Sequence, residues 1–110
     1  IWCSNSELYH KLHSCRMKND FEKLLKNIEK LKKVRKKKYL SNKKYLPLIR
    51  ISNVVLKDNY NDIVNIYHLS KKLDVDEVYF SYFIPFYEQT EWLFLDIEMR
   101  DYVIQQITDL

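Results

Sequence analysis

The chain has 110 residues, the size of one ordinary domain, with a pI near 9.0 and a formal charge of +4. It contains no Gly and no Ala, which excludes a Walker loop, a G-x-G-x-x-G fingerprint, a collagen repeat and a Gly/Ser linker. Lys, Asn, Ile, Tyr and Phe make up 47 of the residues, a bias toward AT-rich codons that weakens any argument from bulk basicity. The distribution of charge says more. Residues 1–50 carry 15 Lys and Arg against 4 acids, a net of +11, whereas residues 51–110 carry 4 against 11, a net of −7.

The chain opens Ile1-Trp2-Cys3 without an initiator methionine and without a signal-peptide pattern, and no uncharged run is long enough to span a bilayer. A piece of a longer, cytoplasmic protein is the expectation. Cys3, His10, His13 and Cys15 form C-x6-H-x2-H-x-C; the residue types suit zinc, but the CxxC clip of structural sites is missing, and ordinary surface and interior residues are the plainer reading.

Asn5 or Ser6 caps a short helix over 5–13, with Leu8, Tyr9 and Leu12 on one side. Residues 20–38 follow as an amphipathic helix: Asn19 can cap, Glu22 stands three residues later, and Phe21, Leu24, Leu25, Ile28, Leu31 and Val34 repeat at helical spacing. Its other face is Lys and Arg. A polar loop over 39–47 ends at Pro47. Residues 48–56 are short and β-branched and read as a strand.

Asn59 is the expected N-cap of the next helix, with Asp62 in its first turn and Ile63, Ile66, Tyr67, Ser70 and Leu73 inward. Asp74 stands where a helix-ending Gly is usual, so it should adopt the left-handed conformation. A second strand over 77–84 ends at Pro85. An aromatic stretch through Trp92 and Phe94 leads into a final amphipathic helix over 98–110, so 87–110 is an aromatic loop plus terminal helix within one domain. With a hint of a strand at Ile1–Cys3, strands alternate with crossover helices. That is an α/β chain with a parallel sheet, part of a larger sheet or barrel because its edges are otherwise unpaired.

Three stretches resemble the radical S-adenosylmethionine family. Residues 5–13 with Asp20-Phe21-Glu22-Lys23-Leu24-Leu25-Lys26-Asn27-Ile28-Glu29-Lys30-Leu31 resemble the region after that family's fourth barrel strand. Ile49 to Ile63 resembles its fifth strand and the Asn-led entry to the next helix, and Leu69 to Phe80 resembles the approach to the sixth strand, with Pro85 after it. The resemblance covers about residues 1–86. It implies a partial parallel (β/α) barrel of the TIM-like type, about strands 4 to 6. It also implies that the intact protein is an oxidoreductase that cleaves S-adenosylmethionine at a [4Fe-4S] cluster to make a substrate radical.

By the same resemblance Asn53 faces the barrel interior and Ile84 packs on the cofactor's adenine. The family's C-x3-C-x2-C is not present, and neither is its glycine-rich motif. This chain alone is therefore expected to be inactive and to hold neither cofactor, and the missing N-terminal half of the barrel is its expected partner.

Two other classes of function fit parts of the sequence. The basic face of 23–44, with Tyr39 and Tyr45, could track phosphates and stack on bases, but a solvated outer helix is favoured and nucleic acid is not the expected partner. A small protein-interaction module would use the aromatic segment 79–94, which predicts self-association through exposed apolar surface. The acids Glu88, Glu91, Asp96 and Glu98 read as solvation and capping.

Overall fold

A computed structural model describes residues 1–13, 17–42, 48–83 and 93–110. Among these the chain is mixed α/β: α1 (Ser6–Leu12), α2 (Asp20–Asn42), β1 (Arg50–Val55), α3 (Ile63–Lys72), β2 (Glu77–Tyr82) and α4 (Ile97–Thr108). Local chemistry sets most of these boundaries. Asn5 caps α1, its Oδ1 accepting from Leu8 N at 2.9 Å, and Asp96 caps α4 by accepting from Met99 N at 2.9 Å. α2 runs four residues past the expected end at Lys38, since 39–42 bring no Gly or Pro to stop it.

α3 departs from the expected start. Asn59 is not its N-cap; that position is Asp62, and residues 57–61 form turns instead. At the other end Asp74 has φ 53°, as a helix-ending residue in the left-handed region should. Val75 N donates to Ser70 O and Asp74 N to Lys71 O, the two bonds of a Schellman closure. α2 docks on this turn through Arg35 to Asp76 and Lys32 to Asp74.

β1 and β2 pair in parallel, with Ile51 opposite Val78, Asn53 opposite Phe80 and Val55 opposite Tyr82. Ile49 O accepts from Asp76 N and Val55 O from Phe83 N, so the odd-numbered backbone groups of this stretch face β2. Alternate residues of a parallel strand bond to opposite sides. Ser52 O and Val54 O therefore face the other edge, and residues 1–4 lie along it. Ile1 N donates to Ser52 O at 3.3 Å and Trp2 N to Asn53 Oδ1 at 3.0 Å; Ser4 N then reaches Asp62, beyond the strand end, at 2.7 Å.

The N-terminal tract thus runs beside β1 in β1's direction. It is not a regular strand: Trp2 sits at φ 67°, a left-handed conformation that costs a bulky residue about 1–2 kcal/mol.

The two sheet faces differ. Along β1, Ile51, Asn53 and Val55 are buried while Arg50 and Ser52 are exposed and Val54 is half-buried. Val55 joins Ile63 of α3, Val103 of α4 and Leu95 in the core, with Tyr60, Phe80 and Met99 packed against it. α3 and α4 therefore cover the Ile51–Asn53–Val55 face. The opposite face carries Arg50, Ser52 and Val54 beside Glu77, Tyr79 and Ser81, and Arg50 Nε donates to Glu77 Oε2 at 2.6 Å. A second apolar cluster joins the N-terminal tract to the first two helices: Tyr9 stacks on His13 at 4.2 Å and meets Phe21 at 5.3 Å, with Trp2 against His13. Among the described residues no helix is long and apolar enough to cross a membrane.

Candidate functional site

In parallel α/β structures, ligands gather where strands end and the chain turns into the next helix. Here that place is the turn 56–62 after β1, together with 93–96 leading into α4, which Lys57 N reaches by donating to Leu93 O at 3.1 Å. A buried polar network shapes the turn. Asn59, 1% exposed, accepts from Leu56 N at 2.7 Å and donates its Nδ2 to Trp2 O at 2.7 Å and Val54 O at 2.9 Å. It therefore ties three chain segments together. Asp62 accepts from Ser4 N and Ser4 Oγ, both at 2.7 Å, and from Asn65 Nδ2 at 3.0 Å. These groups hold backbone in place, and among the described residues no buried side-chain nitrogen or oxygen lacks a partner.

Beside the network lies a shallow depression of about 290 Å³, lined by Tyr60, Asp96, Glu98, Met99 and Tyr102. Tyr60 and Tyr102 meet edge to face at 6.0 Å between centroids. Gln106, buried in α4, donates to Tyr60 O at 2.8 Å and so fixes this wall. The lining combines aromatic edges, a thioether and two carboxylates. It suits a small group with an apolar body and a donor or positive end, and Asp96 Oδ1 already serves the Met99 amide.

The residues singled out from sequence fall in different places. Asn53 is 1% exposed and lies on the helix-covered face of β1, with Oδ1 on Trp2 N and Nδ2 on Tyr79 O at 3.2 Å. The opposite face, the one available to a barrel interior, presents Arg50, Ser52 and Tyr79, which are exposed, and Val54, Glu77 and Ser81, which are half-buried. Ile84 and Cys15 lie outside the described residues, as do Pro47, Pro85 and the aromatic residues from Phe86 to Trp92.

Cys3 is fully buried, its Sγ 3.6 Å from Ile1 O; a ring nitrogen of His10 donates to Lys18 O at 2.8 Å and one of His13 to Tyr9 O at 3.1 Å. Sequence reasoning missed Tyr60, Met99 and Tyr102 as lining residues. The last two carry only a core-like helical period, and Tyr60 lies in a turn with no period at all.

Two groups titrate away from their ordinary values. The Ile49 amide, and after it the Arg35 guanidinium, hold the Asp76 carboxyl below the usual carboxylate range. Burial pushes the Ile1 ammonium down. The Asp76 contacts tie the start of β1 to α2.

No protein-family model matches the chain, and no curated protein or solved structure matches it either.

Proposed function

We propose that the chain is the C-terminal arc of a radical S-adenosylmethionine barrel, supplying lumen wall and strand-end surface to an enzyme whose cluster is held elsewhere. One observation carries the reading: among the described residues, α3 and α4 pack on the same face of the sheet. The N-terminal tract and β2 flank β1 and both run in its direction, α3 and α4 cover the Ile51–Asn53–Val55 face, and among the described residues the opposite face leaves Arg50, Ser52 and Tyr79 exposed, with Val54, Glu77 and Ser81 half-buried. A doubly wound sheet places helices on both faces, whereas a (β/α) barrel places them on the outer face only. The order and spacing of these units also follow the resemblance over residues 1–86.

The residues of this chain do not fit a [4Fe-4S] cluster. Such a cluster takes three closely spaced thiolates in this family; the chain has two cysteines with eleven residues between them, and Cys3 is fully buried. No step of the radical chemistry is therefore assigned to it. Its part is to present the Arg50–Glu77 pair, Ser52, Tyr79 and Ser81 to the lumen and the Tyr60–Tyr102 depression to the strand-end face.

The test is the coding sequence upstream of Ile1. A C-x3-C-x2-C at the end of a first βα unit supports the proposal; an upstream reading frame without that motif overturns it.

A further inference from the structure

Two helices carry apolar stripes that nothing in the described structure covers. On α2, Leu31 and Val34 are 53% and 55% exposed, three residues apart and so on one face. On α4, Ile97 and Ile104 are 76% and 56% exposed at a spacing of seven, with Ile107 beside them. Singly exposed apolar residues are ordinary, but two stripes at helical spacing on one small chain are not.

Their flanks have opposite charge. Lys23, Lys30 and Lys37, seven residues apart, run along the edge of the α2 stripe, all exposed. Glu98 and Asp101, also exposed, lie beside Ile97 on α4, while Arg100, on the other side between Ile104 and Ile107, rests 5.9 Å from the Tyr82 ring. The same asymmetry holds for the whole chain, net +11 over residues 1–50 and −7 over 51–110.

We propose that the partner of these stripes is a second copy of this chain. The α2 stripe of one copy packs on the α4 stripe of the other, and the Lys edge of α2 meets the acidic edge of α4. Pairing α2 with α2 would bring lysines against lysines, a like-charge contact that selects against it, whereas Glu98 and Asp101 give α4 an acidic edge for those lysines to meet. The proposal does not depend on the barrel reading.

Sedimentation equilibrium or light scattering of the 110-residue chain reads the outcome. The expected result is reversible, concentration-dependent association that weakens as salt is raised. Leu31→Glu on α2 and Ile104→Lys on α4 should each weaken it about tenfold or more, while far-UV circular dichroism and the urea midpoint show that both variants fold. The decisive arm mixes the two variants. Each keeps one intact stripe, and the altered pair places Glu against Lys, so the mixture should associate more tightly than either variant does alone.

A wild-type chain that stays monomeric overturns the proposal. So does a mixture that stays apart, which would indicate that each helix pairs with its own kind. Salt-dependent retention on a single-stranded oligonucleotide by a monomeric wild type, lost in a variant with Lys30 and Lys37 changed to Glu, would overturn it as well and assign α2 to nucleic acid.

Discussion

Replacing Asn59 with Ala tests the network that organises the strand-end turn. The substitution removes one acceptor and two donated bonds at a residue 1% exposed. The buried Leu56 amide is left without a partner, at a cost of about 1–3 kcal/mol, and the Trp2 and Val54 carbonyls each lose a donor worth about 0.5–1.5 kcal/mol. The expected loss is about 2–6 kcal/mol, a large share of the roughly 5–15 kcal/mol available to a domain of this size. Urea unfolding followed by circular dichroism and tryptophan fluorescence measures it.

Asn59→Asp supplies the control, because it keeps an acceptor for Leu56 N but sets a carboxylate oxygen against the Trp2 and Val54 carbonyls. It should be strongly destabilised at neutral pH and partly restored in acid, where a protonated oxygen donates again. A loss under about 0.5 kcal/mol for Asn59→Ala would refute the claim that this side chain joins the N-terminal tract to β1.

Further outcomes follow from the same structure. Ile63→Ala should cost about 2–5 kcal/mol, because Ile63 is 1% exposed in the cluster of Val55, Leu95 and Val103, and urea unfolding should show it as a lower midpoint with an unchanged slope. Asp74→Gly should stabilise by about 0.5–1 kcal/mol by relieving the left-handed strain at φ 53°, since the Asp74 carboxylate that pairs with Lys32 is 85% exposed and its ion pair is worth little; a lower melting temperature would contradict that assignment. Asp76 has a depressed folded value, so its stabilisation is complete above the ordinary carboxylate range and fades as pH falls through the folded value. The stability gap between wild type and Asp76→Asn should accordingly be widest near neutral pH and close in acid, and a gap that stays constant with pH would dismiss the Arg35 and Ile49 contacts as its source.

The helices and strands were legible because their signals are local. Asn5 caps as its position predicts, and Asp74 takes the left-handed turn that a glycine-free chain must assign to some other residue. Asn59 misled because the side-chain oxygen that would cap a helix can equally accept from an amide upstream. A cap accepts from amides two or three residues downstream, whereas Asn59 reaches back to Leu56, and what fixes that choice is Trp2, 57 residues away in sequence.

The facing of Asn53 was hidden for a related reason. Val54, Val55 and Leu56 form a continuous apolar run that masks the alternation, yet the parity that buries Ile51 and Val55 carries Asn53 to the same face. The depression at Tyr60 and Tyr102 depends on α4 folding back beside the β1 turn. No periodicity encodes such a contact between residues this far apart.

Anaerobic iron and sulfide reconstitution of the protein expressed from its complete gene, followed by titration with S-adenosylmethionine, tests the central claim most directly. If this chain is the C-terminal arc of such a barrel, the complete protein takes up a [4Fe-4S] cluster whose spectrum S-adenosylmethionine perturbs, and the 110-residue chain alone takes up none. A complete protein that folds, binds no cluster and carries no C-x3-C-x2-C would contradict it.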